Sequence, residues 1–272
     1  MQNKKYQDKT LSVGIPYHSK TLANNLKEAI DSILNQSLIP EALLMIQNGD
    51  VPANLEMLVN DYCEKNSIMQ QIHVPELGLP AALNASILVA ETDYYARMDS
   101  DDIAVTDRFE KQMDFLQRHD EIDILGSWAW EFSATSGTIK KRLKRMPTEP
   151  AKMREWFHYR NPFIHPTVIF KTESIKKLGL YNEGFKTDQD LELWGRAIKA
   201  GLGIANLSEP LLFFRTDNML AKRSKIDAVM RQVRARYSLN TPSLKLNILK
   251  VLALIFRLTP RFIREAGYKY LR

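Results

Sequence analysis

The sequence predicts an α/β fold in which a mixed sheet is flanked by helices, and three observations carry that expectation. First, short apolar runs such as residues 11–16 and 42–46 alternate with segments of helical period such as Leu22, Leu26, Ile30 and Ile33. Such alternation implies a parallel sheet with helices on both faces. Second, residues 133–142, centred on Ser136-Gly137, read as a hairpin, which makes the sheet mixed. Third, 272 residues that are 44% hydrophobic and 26% charged can bury a sizeable core with an ordinary globular composition.

The elements follow in order. Residues 11–16 form the first strand, which Pro16 is expected to stop. Thr21 can cap the first helix, and Asn48-Gly49-Asp50 ends a second strand over 42–46. Leu55, Leu58, Val59 and Tyr62 mark another helix, and residues 69–74 a third strand. Gly78 opens a helix over 79–89, and a buried strand follows over 93–97. A helix beginning at Thr106-Asp107-Arg108-Phe109 runs to Arg118, and residues 122–130 form a further strand. Asn161-Pro162 and His165-Pro166 punctuate an apolar stretch ending at Phe170. A short helix over 174–178 leads to Gly179, and a strong helix over 188–200 is stopped by Gly201 and Gly203. Ligands of such sheets bind outside the carboxyl ends of the strands. That edge would hold residues 16–19, 47–50, 75–77 and 99–102. Neither G-x-G-x-x-G nor G-x-x-x-x-G-K-[ST] is present, which excludes the dinucleotide fingerprint and the P-loop.

Asp99-Ser100-Asp101-Asp102 places three carboxylates in four residues at that edge. Like charges so close raise each other's pKa. A divalent cation among them offsets the cost, since hard cations take oxygen ligands, and it could hold a diphosphate leaving group. The same residues, with Asp107, are also ordinary loop and helix-cap chemistry, so the run alone leaves a solvated acidic loop open. The single cysteine, Cys63, rules out an internal disulfide framework, and the five histidines show no zinc spacing. The polar start (Gln2, Asn3, Lys4, Lys5, Tyr6) lacks the apolar core of a signal peptide, and no uncharged stretch reaches membrane-spanning length, so a cytoplasmic location is expected.

Several stretches carry a resemblance when taken in order. They are Ser12-Val13-Gly14-Ile15-Pro16-Tyr17, Ala29-Ile30-Asp31-Ser32-Ile33-Leu34-Asn35-Gln36-Ser37 and Gly78-Leu79-Pro80-Ala81-Ala82-Leu83-Asn84. Asp99-Ser100-Asp101-Asp102, Gly179-Leu180-Tyr181-Asn182 and Asp188-Gln189-Asp190-Leu191-Glu192-Leu193-Trp194 complete the set. From Ser12 to about Ser224 the chain resembles the family 2 glycosyltransferases of GT-A fold, a Rossmann-like nucleotide-diphospho-sugar transferase architecture. It is similar in particular to bacterial enzymes that build O-antigen, capsule or exopolysaccharide units. The resemblance implies an inverting, metal-dependent transfer from a nucleotide-sugar, with UDP-galactose or UDP-N-acetylglucosamine the common donors. The acceptor implied is a saccharide carried on a polyprenyl diphosphate. Mn²⁺ or Mg²⁺ would bridge the donor diphosphate to Asp101, with Asp99 helping directly or through water. Pro16, Tyr17, Ser19, Gln47 and Asn48 would line the donor side, together with Asn84, Asp99, Ser100 and Arg215. The family's base is the second residue of a Glu-Asp pair, which maps to Asp190 with Gln189 in place of the glutamate; Asp188 is the alternative. Read without the family, Asp190 is a helix N-terminal acid in a favourable dipole. Arg215 could grip phosphate bidentately or form a structural salt bridge. His165 and Trp194 fall on the acceptor side, although a histidine beside prolines also suits a structural role and Trp194 has the spacing of a core residue. The chain departs from the family at Gln47-Asn48-Gly49-Asp50, often Asp-rich, at Ser86, often glycine, and at Asp217, where histidine is common.

Charge divides the chain. Residues 222–272 carry thirteen Lys/Arg against Asp227 and Glu265, a net of +11, whereas the other 221 residues have a net of −5. This suggests a catalytic domain over 1–221, with a nucleotide-sugar half over 10–105 and an acceptor half over 106–221, followed by a basic helical tail over 222–272. Within the tail, residues 244–258 are helical and mostly apolar, with Lys250 and Arg257 on one side and a broad apolar face opposite; Arg261, Arg264, Lys269 and Arg272 continue the charge after Pro260. Such a helix can lie in the interface of an anionic inner membrane, as suits a lipid-carried acceptor, or pack its apolar face on the domain with its basic face in water. A sugar-nucleotide nucleotidyltransferase is the rival enzyme, but it needs a glycine-rich basic loop that Pro16-Tyr17-His18-Ser19 does not provide. A non-enzymatic module driven by the tail would leave the acidic run unexplained. The interleaved apolar residues favour lipid, and no nucleic-acid partner is expected.

Overall fold

In the computed structural model, which describes residues 9–133, 140–216 and 226–259, the first strand β1 (Leu11–Tyr17) is buried along its whole length. It lies between β2 (Ala42–Asn48) and β4 (Tyr94–Arg97), with β3 (Met69–Val74) outside β2, and all four strands are parallel. The sheet continues through β8 (Ile169–Lys171), antiparallel to β4, to β6 (Ile124–Ser133), β9 (Ile204–Arg215) and the two-residue β5 (Ile103–Ala104). β7 (Lys140–Lys144) pairs antiparallel with β6. The sheet is therefore mixed, as expected.

Strand alternation builds a core on each face. Val13, Ile15 and Tyr17 meet α1 (Ala23–Leu34) through Leu26 and Ile30, α2 (Ala53–Lys65) through Leu55, and α4 (Arg108–Arg118) through Phe109 and Met113. On the other face Leu44, Ile46 and Tyr95 meet α3 (Leu79–Val89) through Leu83 and Ile87. α5 (Pro150–Phe157), α6 (Thr172–Leu178) and α7 (Gln189–Lys199) complete that layer with Phe157, Ile175 and Trp194. Helices layered on both faces of a mixed sheet are the class of fold that the sequence predicts.

Two expectations change, and one strand was not anticipated. Pro16 does not stop β1: the Gly14 carbonyl accepts from Met98 N, so Pro16, two residues on, also faces the β4 side. The β1–β4 pairing ends at Gly14 and Arg97, so the missing N–H costs no ladder bond. Thr21 does not cap α1; the cap position is Leu22, and the Thr21 hydroxyl instead accepts from His18 N at 3.1 Å. The sequence also gave no signal for the twelve-residue β9, whose Pro210 and Glu209 interrupt its apolar pattern. Irregular register opposite Ser127, Trp128 and Trp130 lets β6 accommodate it.

The helices at the end of the described chain depart from a simple tail. α8 (Ile226–Tyr237) packs on α7 and puts Ala235 into the core; Gln232 is also buried. α9 (Leu244–Leu258) packs on α8 with Lys250 turned inward, so that lysine is not part of a solvated basic face. The Ser136-Gly137 turn, Asp217, Pro260 and the cations from Arg261 onward lie outside the described residues.

Candidate active site

β4 ends at Arg97, and the chain turns through Asp99, Ser100, Asp101 and Asp102 into β5. This turn is held from several sides. β5 pairs with β9 through Ile103–Phe213 and Ala104–Leu212, and Arg215 N donates to Asp102 Oδ1 at 2.8 Å. The Arg215 side chain straps the turn from outside, with Nε donating to Asp101 O at 2.8 Å and Nη2 to Glu28 Oε2 at 2.7 Å. The guanidinium is thus engaged in a structural ion pair, one of its two expected uses.

One oxygen from each of Asp99, Asp101 and Asp102 falls within 4.8 Å of the others. Asp101 is exposed as a residue, yet desolvation of its carboxyl, followed by the Asp99 charge, pushes it up to about 6. Asp102 is wholly buried, and burial, then Asp99 and Asp101, raise it well above the usual carboxylate range. Its Oδ2 is buried with no hydrogen-bond partner. A crowded all-oxygen set with an orphaned buried oxygen fits a hard divalent cation.

Arg97 is the residue that sequence reading missed. It is 2% exposed and ion-pairs with Asp99, while its Nε and Nη1 have no hydrogen-bond partner. Its charge acts on Asp101 and Asp102, and also on His165, Tyr181 and Asp190. The available signal was an arginine closing a strand that is otherwise aromatic and small.

Asp190 lies in the first turn of α7, where its Oδ2 accepts from Asn161 Nδ2 at 2.6 Å. Burial, then the neighbouring Asp188 charge, raises its pKa. Asp188 stands at the N-cap position with φ 61°, a left-handed conformation that aspartate tolerates better than most residues; its carboxylate makes no capping bond and accepts instead from Gln232 of α8. His165 Nε2 and Tyr181 Oη are 2.8 Å apart, and burial, then Arg97, holds the imidazole well below its usual range. Trp194 has 0% exposure and stacks edge-on to His165 at 5.9 Å, so it supports that ring from the core and offers no surface to an acceptor.

The donor-side candidates divide. Gln47 and Tyr17 are linked, since the Tyr17 hydroxyl donates to Gln47 Oε1 at 3.2 Å and accepts from Gln71 Nε2 at 2.8 Å. Tyr17 is otherwise sealed in the core. Asn48 is buried with an unpartnered Oδ1, Ser100 is half-buried, and Ser19 is exposed beyond Pro16. Asn84 is occupied: it brackets Tyr181, donating to its carbonyl and accepting from its N–H, each at 2.9 Å. Ser86, the departure from glycine, has its hydroxyl 2.6 Å from Tyr95 Oη.

The sequence profile described as Glycosyl transferase family 2 matches residues 12–179. The amylovoran biosynthesis glycosyltransferase AmsE of Erwinia amylovora is 30% identical over 78% of this chain and 79% of its own length. A UDP-Gal:alpha-D-GlcNAc-diphosphoundecaprenol beta-1,3-galactosyltransferase of Escherichia coli is 30% identical over 90% of each chain. S. aureus TarS 1–349 in complex with UDP-GlcNAc superposes with a TM-score of 0.67 at 17% identity, covering 95% of this chain and 75% of that one. Against TarS in a longer form the TM-score is 0.67, and the chain spans 45% of that structure.

Proposed function

The chain belongs to glycosyl transferase family 2 and is a glycosyltransferase, and from that membership we propose that it transfers a sugar from a UDP-sugar to a lipid-linked saccharide with inversion at the anomeric carbon. The nucleotidyltransferase and non-enzymatic readings fall with the family assignment. Galactose or N-acetylglucosamine is the sugar proposed, since one relative is named for UDP-Gal and TarS is described with UDP-GlcNAc. The lipid-linked acceptor follows the same relative, named for a diphosphoundecaprenol substrate, and a role in bacterial surface polysaccharide synthesis follows AmsE. The enzyme would work at the inner face of the cytoplasmic membrane. Its contact with the membrane would be peripheral, through the basic helical segment; among the described residues no helix is long and apolar enough to cross a membrane.

The acidic cluster is the observation that carries this reading. Asp101 and Asp99 would hold Mn²⁺ or Mg²⁺, with Asp102 behind them. When bound, the cation would neutralise charge developing on the departing diphosphate. Gln47 and Asn48 would meet the base and ribose at the ends of the strands. Asp190 would accept the proton of the acceptor hydroxyl as its oxygen bonds to the anomeric carbon and UDP leaves with the electron pair of the broken bond. Its raised pKa makes it a stronger base than an exposed aspartate. Asn161 would hold it in place, and His165 with Tyr181 would shape the acceptor side.

Thermal stability against UDP, GDP, dTDP and CMP, each with and without Mn²⁺, tests the proposal, because a ligand bound only to the folded state must stabilise it. A manganese-dependent rise with UDP that vanishes in Asp101→Asn is expected. A shift with another nucleotide alone would replace the donor, and no shift in folded protein would remove the donor-site assignment.

A further inference from the structure

α9 carries a face that nothing in the described chain covers. Leu244, Ile248, Val251, Leu252, Ile255 and Leu258 recur at helical spacing, and each is between 44% and 74% exposed. The helix would be expected to turn such a stripe inward and its lysine outward. It turns the lysine inward instead, beside the partly buried Leu246, Leu249 and Ala253. Lys250 is 1% exposed, and its ammonium donates to the carbonyls of Arg236 and Leu239 at 3.1 Å each, 4.6 Å from the Tyr237 ring centre. Burying a lysine is costly unless its donors are met, so these backbone acceptors fix the rotation of α9 on α8 and hold the apolar side out.

We infer that this stripe is the surface by which the enzyme seats on an anionic lipid bilayer, with α9 lying in the interface plane. The inference deepens the membrane-side reading above and rests on it. Charge selects the occupant. Residues 222–272 carry thirteen Lys/Arg and only two acids, and eleven of those cations remain once the buried Arg236 and Lys250 are set aside, a composition that anionic headgroups attract. A second copy seated on the same stripe would form a self-complementary contact, bringing two such cationic segments together against their mutual repulsion. Nucleic acid would answer the charge and leave the apolar stripe unmatched. Length selects the orientation. The fifteen residues of α9 span about 22 Å, short of the roughly 30 Å hydrocarbon core, so the helix lies on the bilayer and does not cross it.

Vesicle flotation of the full chain tests this, with phosphatidylcholine vesicles compared against vesicles enriched in phosphatidylglycerol. The wild-type chain should float with the anionic vesicles and much less with the neutral ones. The triple variant Ile248→Ser, Val251→Ser, Ile255→Ser alters only exposed side chains. It should lose binding by at least about tenfold while keeping its circular dichroism and its manganese-dependent response to UDP. Equal flotation of variant and wild type would overturn the inference. So would a wild-type chain that ignores anionic vesicles, or one that is a dimer converted to monomer by the triple variant. Because the nucleotide response is read in the same samples, failure of the donor assignment is visible separately from failure of the membrane face.

Discussion

Asp190 and Arg97 set what individual residues do here. Asp190 has one anchoring amide and a pKa raised by burial, so it is charged only above that raised value. The rate should therefore fall as pH drops through the pKa, because protonation removes the base. Asp190→Asn should lower kcat by about 10²- to 10⁴-fold and remove the part of that acidic limb that Asp190 contributes, while the UDP and manganese stabilisation persists. Loss of nucleotide response in this variant would instead make Asp190 a structural acid. The carboxylates themselves were legible as a costly cluster at a strand end, although the run alone also suited a solvated loop. Arg97 was not, because nothing in a linear pattern shows that one guanidinium lies beneath a turn and acts on a helix far along the chain.

At the scale of elements, the first half of the molecule was readable. β3, α3 and α4 keep their expected bounds, and α4 buries one face at helical period through Arg108, Phe109, Gln112, Met113 and Leu116. Glycines show where such reading stops. Gly203 reads as a helix terminator, yet its carbonyl accepts from both Asp123 N and Ile124 N, and an added Cβ would sit 1.7 Å from the Glu121 carbonyl oxygen. The obstructing atom is backbone and cannot swing away. Gly203→Ala should cost about 2 kcal/mol or more in urea unfolding, with Gly201→Ala differing in kind: its Cβ would meet nothing within 4 Å, and only its φ of 79° resists. If both variants melt like wild type, the close crossing of the β6 and β9 ends is not as tight as described.

For the whole molecule, acid should loosen the junction of α5, α8 and α9. His158, at the end of α5, is depressed to about 4 by burial, then by Lys250 and Arg236, from an ordinary value of 6.5. With the folded value below the unfolded one, the unfolded chain takes up the proton first, so stability is full above pH 6.5 and declines as pH falls toward 4. His165 is depressed as well and adds to the same slope. Urea unfolding near neutrality and at about pH 5 should show the decline, and His158→Gln should flatten part of it; an unchanged slope would acquit that histidine. The sequence by itself determined the fold class, the first strands and helices, the acidic turn and the division of charge, because periodicity and local composition carry those directly. Tertiary structure alone decided that Arg97 sits beneath the acidic turn, that Arg215 straps it, that Trp194 is sealed in the core and that Lys250 points inward. Each depends on which surfaces meet, and a helix of given period can present either face until packing and hydrogen bonding choose one.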